Sequence, residues 1–280
     1  MHSTDIKAGT LYLVSTPIGN LKDITFRAVE VLKSVGLIAA EDTRHSRKLL
    51  NHYGIQNRLV SYHDHNKDKS APGLIKKLAD GVDVALISDA GSPGISDPGY
   101  FLVNLARKSG ITVTACPGPC AAIMALSISG LPTDSFSFYG FLPAKPGKRK
   151  NFIKTLANEN KSMVLYESSG RIEKLLKDLY EILGDRLVLV SRELTKKFEE
   201  SGRGRLSEFI EDNRFSNSKG EFTLVISKKD KADKVSLDDI KDKILRRIES
   251  GGAVKDISKE IADMYGIPKK EVYSFIINNK

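Results

Sequence analysis

The chain has 280 residues, 40% of them hydrophobic and 28% charged, with a formal net charge of +9. That composition is ordinary for a globular protein of about two domains, and no apolar run reaches the ~18 residues needed to cross a bilayer. The excess of Lys and Arg attracts polyanions, so nucleic acid or an anionic membrane surface are both open as partners.

In chain order, residues 10–15 read as a strand, β-branched and aliphatic around Tyr12. Thr16-Pro17-Ile18-Gly19-Asn20 turns the chain. Residues 24–34 follow Asp23 and place Phe26, Val29, Val31 and Leu32 at helical spacing. A short strand is expected at 37–40, and Glu41-Asp42-Thr43-Arg44 opens a helix to about residue 53. Strands at 59–62, 82–88 and 112–115 alternate with helices at 74–79, 101–109 and 121–129. Such alternation predicts an α/β domain with a largely parallel sheet over residues 1–132.

A boundary is expected near Gly130-Leu131-Pro132-Thr133-Asp134. A second α/β domain, 133–228, carries strands at 136–141, 163–166, 187–191 and 222–227 and helices at about 149–159, 171–183 and 207–213. The charged stretch 228–234 reads as a linker. A helical module, 235–280, follows it. Ser236 with Asp239 resembles a capping box opening 237–249, then 254–264 is amphipathic, and Gly266-Ile267-Pro268 turns into 269–278. That outline fits a helix-turn-helix and plain three-helix packing equally well.

The residues best suited to chemistry lie in the run Ser88-Asp89-Ala90-Gly91-Ser92-Pro93-Gly94-Ile95-Ser96-Asp97-Pro98-Gly99. It follows an apolar strand, and ligands of open α/β sheets bind beyond the carboxyl ends of strands. Its glycines allow close backbone approach and its prolines stiffen it. It has no basic residue and no P-loop pattern, so it suits a ligand with positive charge and hydroxyls better than a phosphate. The alternative is a tight surface loop. Pro117-Gly118-Pro119-Cys120-Ala121-Ala122 and the turn at 16–20 fall on the same sheet edge, which predicts one cleft. Cys116 and Cys120 match neither a zinc site nor a disulfide framework and read as buried small residues. His63-Asp64-His65 brings too few ligands for a metal site and fits RNA contact better, so no metal is expected. The first nine residues carry Asp5 and no signal-peptide core, which makes a cytoplasmic protein the expectation.

Six motifs in order support a resemblance over nearly the whole chain. They are residues 11–23, Ala40-Glu41-Asp42-Thr43-Arg44, Ser61-Tyr62-His63-Asp64-His65-Asn66, the Asp89 loop, Pro117-Gly118-Pro119 and Phe138-Tyr139-Gly140-Phe141-Leu142-Pro143. Together they resemble ribosomal RNA small subunit methyltransferase I, a family of 16S rRNA cytidine 2′-O-ribose methyltransferases within the tetrapyrrole methylase fold. The resemblance implies two α/β domains with S-adenosylmethionine in the cleft between them, and a homodimer. It implies a substrate as well, a cytidine in the decoding region of 16S rRNA in the small ribosomal subunit. Cofactor contacts are implied at Pro17, Ile18, Asp89, Gly91, Ser92, Ile95, Cys120, Ala121, Tyr166 and Leu194. Strand one ends in Ser15-Thr16-Pro17, where tetrapyrrole enzymes usually have glycines, which fits an RNA-modifying branch.

A ribose hydroxyl is a poor nucleophile until its proton is leaving, so a nearby carboxylate or histidine would help as general base. Glu41, Asp42, His63, Glu167 and Glu193 stand at expected strand ends, with Glu41, Glu167 and Glu193 the leading catalytic candidates. Helix capping is the competing role for Glu41 and Asp42, and salt bridges with Arg171 and Arg192 for Glu167 and Glu193. RNA contacts are expected from Lys145, Lys148 and Arg149, in an acid-free stretch with Lys150 and Lys154, and from Arg44, with Arg47 and Lys48 beside it. A solvated helix face is the alternative there. Two other functions stay open, a small-molecule methyltransferase acting on a tetrapyrrole and a non-catalytic RNA-binding factor of ribosome assembly.

Overall fold

The computed structural model describes residues 7–215, 218–229, 237, 240–265 and 267–278. The chain divides after Ser227 into two compact units. The first unit opens with β1 (Thr10–Val14), α1 (Phe26–Ser34), β2 (Leu37–Ala40), α2 (Thr43–His52), β3 (Leu59–Ser61), α3 (Lys67–Ala79), β4 (Val84–Ile87), α4 (Tyr100–Lys108), β5 (Thr112–Cys116) and α5 (Ala121–Ile128). Its five strands form a sheet in the order β3-β2-β4-β1-β5, and every pairing is parallel.

Burial on both faces explains the run-on apolar strands. Every residue of β2 (LIAA) and β4 (VALI) is buried, as expected where helices cover a parallel sheet on both sides. Alternate side chains take opposite faces. Leu37, Ala39, Val84 and Leu86 pack with α3 and α4, while Ile38, Ala40, Ala85 and Ile87 pack with α1 and α2. The caps are local: Thr25 Oγ1 accepts the Ala28 N–H at 3.2 Å, and the Asp42 carboxylate accepts the N–H groups of Arg44 and His45. Helix α3 starts seven residues before the expected 74. Pro72-Gly73 masked its early turns, yet Ala71, Leu74 and Leu78 bury one continuous face.

The same unit continues with β6 (Phe136–Phe141), α6 (Pro146–Thr155), β7 (Ser162–Ser168), α7 (Ile172–Leu183), β8 (Leu187–Arg192), β9 (Glu200–Arg205), α8 (Leu206–Glu211) and β10 (Glu221–Ile226). These strands form a mixed sheet ordered β6-β7-β10-β8-β9. β6 is parallel to β7 and the other pairings are antiparallel. Sequence patterning missed β9, whose Glu-Ser-Gly-Arg-Gly-Arg is polar, because it is an edge strand and edges tolerate charge. One face of this sheet is covered by α6, α7 and α8. The other face packs against Ala122, Ala125 and Leu126 of α5, so α5 leaves the first sheet and lies on the second. The two sheets therefore face each other across α5 and the loops beside it.

The second unit contains α9 (Lys241–Glu249), α10 (Val254–Tyr265) and α11 (Lys269–Asn278). Ile244, Ile257, Ile261, Val272 and Ile276 form its core. The capping pair Ser236 and Asp239, Gly266 and most of the charged stretch 228–234 lie outside the described residues.

Candidate active site

Four loops meet at the carboxyl edge of the parallel sheet, after β1, β2, β4 and β5. Thr16 and Gly91 exchange backbone hydrogen bonds at 2.9 and 3.0 Å, joining the first loop to the third. Gly91 takes φ +83°, and a Cβ there would lie 3.4 Å from Ile18 Cγ2. Thr16 Oγ1 donates to the Ser88 carbonyl at 3.1 Å, and Ser92 Oγ donates to the Pro119 carbonyl at 3.2 Å. The Asp89 carboxylate accepts the Asp42 N–H at 3.1 Å, and Glu41 accepts the Asp89 N–H at 3.5 Å. Short polar residues thus knit the loops into one rigid edge.

The second sheet supplies the facing wall. Tyr166 on β7 accepts the Ala122 N–H of α5 through its hydroxyl at 3.0 Å. Its ring meets those of Phe138 and Phe141 edge-on, at 5.1 and 5.6 Å between centroids. Burial pushes its phenol well above the ordinary range, so it stays neutral. After β8 the chain bends sharply, with two non-glycine residues left-handed, Glu193 at φ +52° and Thr195 at φ +67°. Such backbone costs of order 1–3 kcal/mol per residue and persists where its surroundings dictate it. Here the Thr195 N–H donates to Glu199 at 2.8 Å and the Glu193 N–H to the Glu221 carbonyl at 3.0 Å.

Between the walls lies a cavity of about 250 Å³. Glu41, Asp89, Asp97, Glu193 and Glu221 line it, and Lys196 is the only Lys or Arg among its lining residues. Burial, and then the charge of Glu41, pushes the Asp97 carboxyl up to about 7, against the hydrogen bond from Ser88. Burial also raises Glu41. Burial opposes ionisation of Glu193, but hydrogen bonds from Lys196 and the Glu221 N–H outweigh it and hold that carboxyl below its usual range. An adjoining cavity of about 530 Å³ lies among the β1 loop, α2 and the segment at Lys196.

Of the residues expected at the cofactor, Ile18, Asp89, Gly91, Ser92, Ile95, Cys120, Ala121, Tyr166 and Leu194 line the first cavity, while Pro17 lines the adjoining one. Glu41 and Glu193 also reach the first cavity. Glu167 does not. It follows Tyr166 in β7 and so takes the opposite face of the sheet, where it is fully buried with Arg171 Nη2 at 3.0 Å. Its expected catalytic role is withdrawn, and the salt-bridge alternative is what the structure shows. Asp42 caps α2, and His63 stands near Glu41 without lining either cavity. Arg149 is a second correction. It is 3% exposed and its Nη2 lies 2.6 Å from Asp178, so it cannot reach a phosphate. Lys145, Lys148 and Arg44 are exposed. Asp97, Lys196, Glu221 and Thr223 were missed. Asp97 was within reach, because it lies in the loop already singled out. Lys196 and Glu221 carried no signal, since a strained bend and an antiparallel neighbour bring them in.

The family model described as Tetrapyrrole (Corrin/Porphyrin) Methylases matches residues 10–210. Diphthine synthase superposes with a TM-score of 0.60 at 14% identity, covering 78% of this chain and 89% of that one. A cobalt precorrin-4 methyltransferase does so with 0.58 at 15%, covering 78% and 94%; at such identities both show the fold alone. Sequence relatives are much nearer. Ribosomal RNA small subunit methyltransferase I of Halalkalibacterium halodurans is 45% identical over 95% of this chain and 94% of its own. The protein of that name from Escherichia coli O157:H7 is 42% identical over 99% and 98%, and the one from Vibrio cholerae 44% over 97% and 96%. The chain belongs to the ribosomal RNA small subunit methyltransferase I family. It is a methyltransferase, with S-adenosylmethionine as its methyl donor.

The cavity fits that donor. S-adenosylmethionine carries a sulfonium cation, an ammonium group, a carboxylate and a ribose, with a net charge of one positive unit, and five carboxylates and Lys196 line the cavity beside Tyr166 and Phe141. A phosphorylated cofactor would meet these five acids and a single lysine, Lys196, whose ammonium already serves Glu193 and Glu221.

Proposed function

We propose that the protein methylates the ribose 2′-hydroxyl of a cytidine in the decoding region of 16S rRNA, acting on the small ribosomal subunit. The observation that carries this reading is the pair of adjoining cavities, one lined by five carboxylates and one that shares only Asp89 and Glu221 of these and adds His45 and Lys48. A cationic donor suits the first and a polyanion suits the second. The relatives' names state the small-subunit rRNA as their target. Exposed Lys145 and Lys148, at the start of α6, extend the basic surface for phosphates. In this reading the protein works in the cytoplasm as a homodimer. Among the described residues no helix is long and apolar enough to cross a membrane.

S-adenosylmethionine supplies an electrophilic methyl group. The chain's residues hold and shield the reactants, and alignment of this kind is worth up to about 7–11 kcal/mol in ideal cases. Ile18, Ile95, Ala121 and Leu194 give the cofactor cavity its apolar surface; Asp89, Ser92 and Asp97 give it polar partners. Glu41 is the best proton acceptor of the sequence candidates. Burial raises its pKa and so its basicity, whereas hydrogen bonds from Lys196 and the Glu221 N–H lower that of Glu193, and Glu167 is out of reach. Methyl-labelled S-adenosylmethionine offered with small subunits, naked 16S rRNA and a tetrapyrrole in parallel tests the reading. Label confined to rRNA of the subunit is the expected result; label on the tetrapyrrole overturns it.

A further inference from the structure

The two cavities share Ile18, Asp89, Ala90, Lys196 and Glu221 as a common wall. Away from that wall the larger cavity has no carboxylate. It presents His45 and Lys48 from α2, and Pro17, Leu21 and Leu49 as apolar surface. At about 530 Å³ it falls within the roughly 300–1,000 Å³ of small-molecule sites. A basic edge, an apolar floor and contact with a methyl-donor cavity match one ribonucleotide: phosphate, flat base, and ribose turned toward the donor.

Lys196 sits at the meeting point. Its ammonium donates to Glu193 Oε1 at 2.7 Å and to Glu221 Oε2 at 3.0 Å, and a lysine has three such protons. The third is left for a ligand. The left-handed Glu193 and Thr195 set where this side chain emerges. Gly19 makes room for it: a Cβ at that position would lie 2.3 Å from Lys196 Cγ and 2.9 Å from Thr195 Oγ1. The β1 loop, the strained bend and β10 thus converge on one ammonium group.

We propose that the larger cavity seats the acceptor nucleotide of the RNA, and that Lys196 donates a hydrogen bond to its ribose hydroxyl oxygen at the wall common to both cavities. The proposal rests on the reading of the chain as an RNA ribose methyltransferase. Lys196 is no base in this arrangement. Its two carboxylate partners keep it protonated, and it fixes where the hydroxyl lies. His45 and Lys48 meet the phosphate.

Steady-state kinetics on small subunits, with S-adenosylmethionine affinity measured separately by calorimetry, tests this. His45→Ala with Lys48→Ala raises KM for subunits about 10-fold and leaves kcat and cofactor affinity within twofold. Lys196→Met lowers kcat about 30-fold, in the range of one lost charge-assisted hydrogen bond, without weakening cofactor binding. Lys196→Arg recovers part of that loss. Gly19→Ala, which displaces Lys196 without removing its charge, lowers kcat in the same direction. Cofactor affinity falling more than fivefold in Lys196→Met would place Lys196 on the donor's wall only and overturn the proposal. Unchanged KM in the double variant would overturn it as well. In both cases wild-type transfer to rRNA would still stand, which separates this failure from failure of the functional reading. Wild-type protein that binds the cofactor but labels only a tetrapyrrole overturns both.

Discussion

Among the carboxyls that line the cavity, Asp97 is the one pushed up to about 7. Its carboxyl is half neutral near pH 7, in a cavity that also holds Glu41, Asp89 and Glu221. Ionisation adds a negative charge facing a cationic ligand, so S-adenosylmethionine should bind more tightly as pH rises from 6 to 8. Calorimetry across that range should show the trend in the wild type and a flatter profile in Asp97→Asn. Stability without cofactor runs the other way. A pKa raised on folding contributes stability that is full below the unfolded pKa of ~3.9 and lost as pH rises through about 7. Melting temperature relative to Asp97→Asn should therefore fall between those limits. Glu41→Gln should lower kcat about 100-fold and remove the acidic limb of the pH–rate profile, if Glu41 takes the proton. An unchanged profile would assign the proton to solvent. The side chains legible in sequence were those on loops directly after strands. Glu167 was misplaced because one step along β7 exchanges faces, and only Tyr166 faces the cavity.

At the scale of elements, α6 illustrates how a basic stretch divides its work. Arg149 points inward to Asp178, and their side chains are 4% and 10% exposed. Breaking a buried pair by removing one partner costs about 3–5 kcal/mol, so Arg149→Ala should lower stability in denaturant titrations with little direct effect on RNA affinity. Lys145→Ala with Lys148→Ala should do the reverse. Folding stability should stay put, RNA binding should weaken, and the slope of log affinity against log salt should shrink by about 1.4, at ~0.7 for each of two phosphate contacts. A change in cofactor affinity there would contradict that division. Composition alone cannot separate an inward arginine from outward lysines, because the separating fact is Asp178 on α7, 29 residues away in sequence. Hydrophobic period located both sheets' buried strands for the same reason that it missed β9: burial writes a pattern and a polar edge does not.

For the molecule as a whole, function resides in the closeness of two dissimilar sheets. The parallel sheet contributes a loop edge tied by Thr16, Ser92 and Asp89, and the mixed sheet contributes Tyr166, the 193–196 bend and β10. Helix α5 spans them, packing Ala122, Ala125 and Leu126 on the second sheet while its first residues line the cavity. All the residues lining both cavities precede Ser227, so a chain ending there should retain S-adenosylmethionine affinity in calorimetry. Its methylation of subunits should decline if the helical unit contacts the ribosome. The most direct measurement is mass spectrometry of nucleosides from small subunits incubated with the protein and methyl-labelled S-adenosylmethionine. Labelled 2′-O-methylcytidine is the expected product; label on a cytosine base, or on no rRNA nucleoside at all, would contradict the assignment.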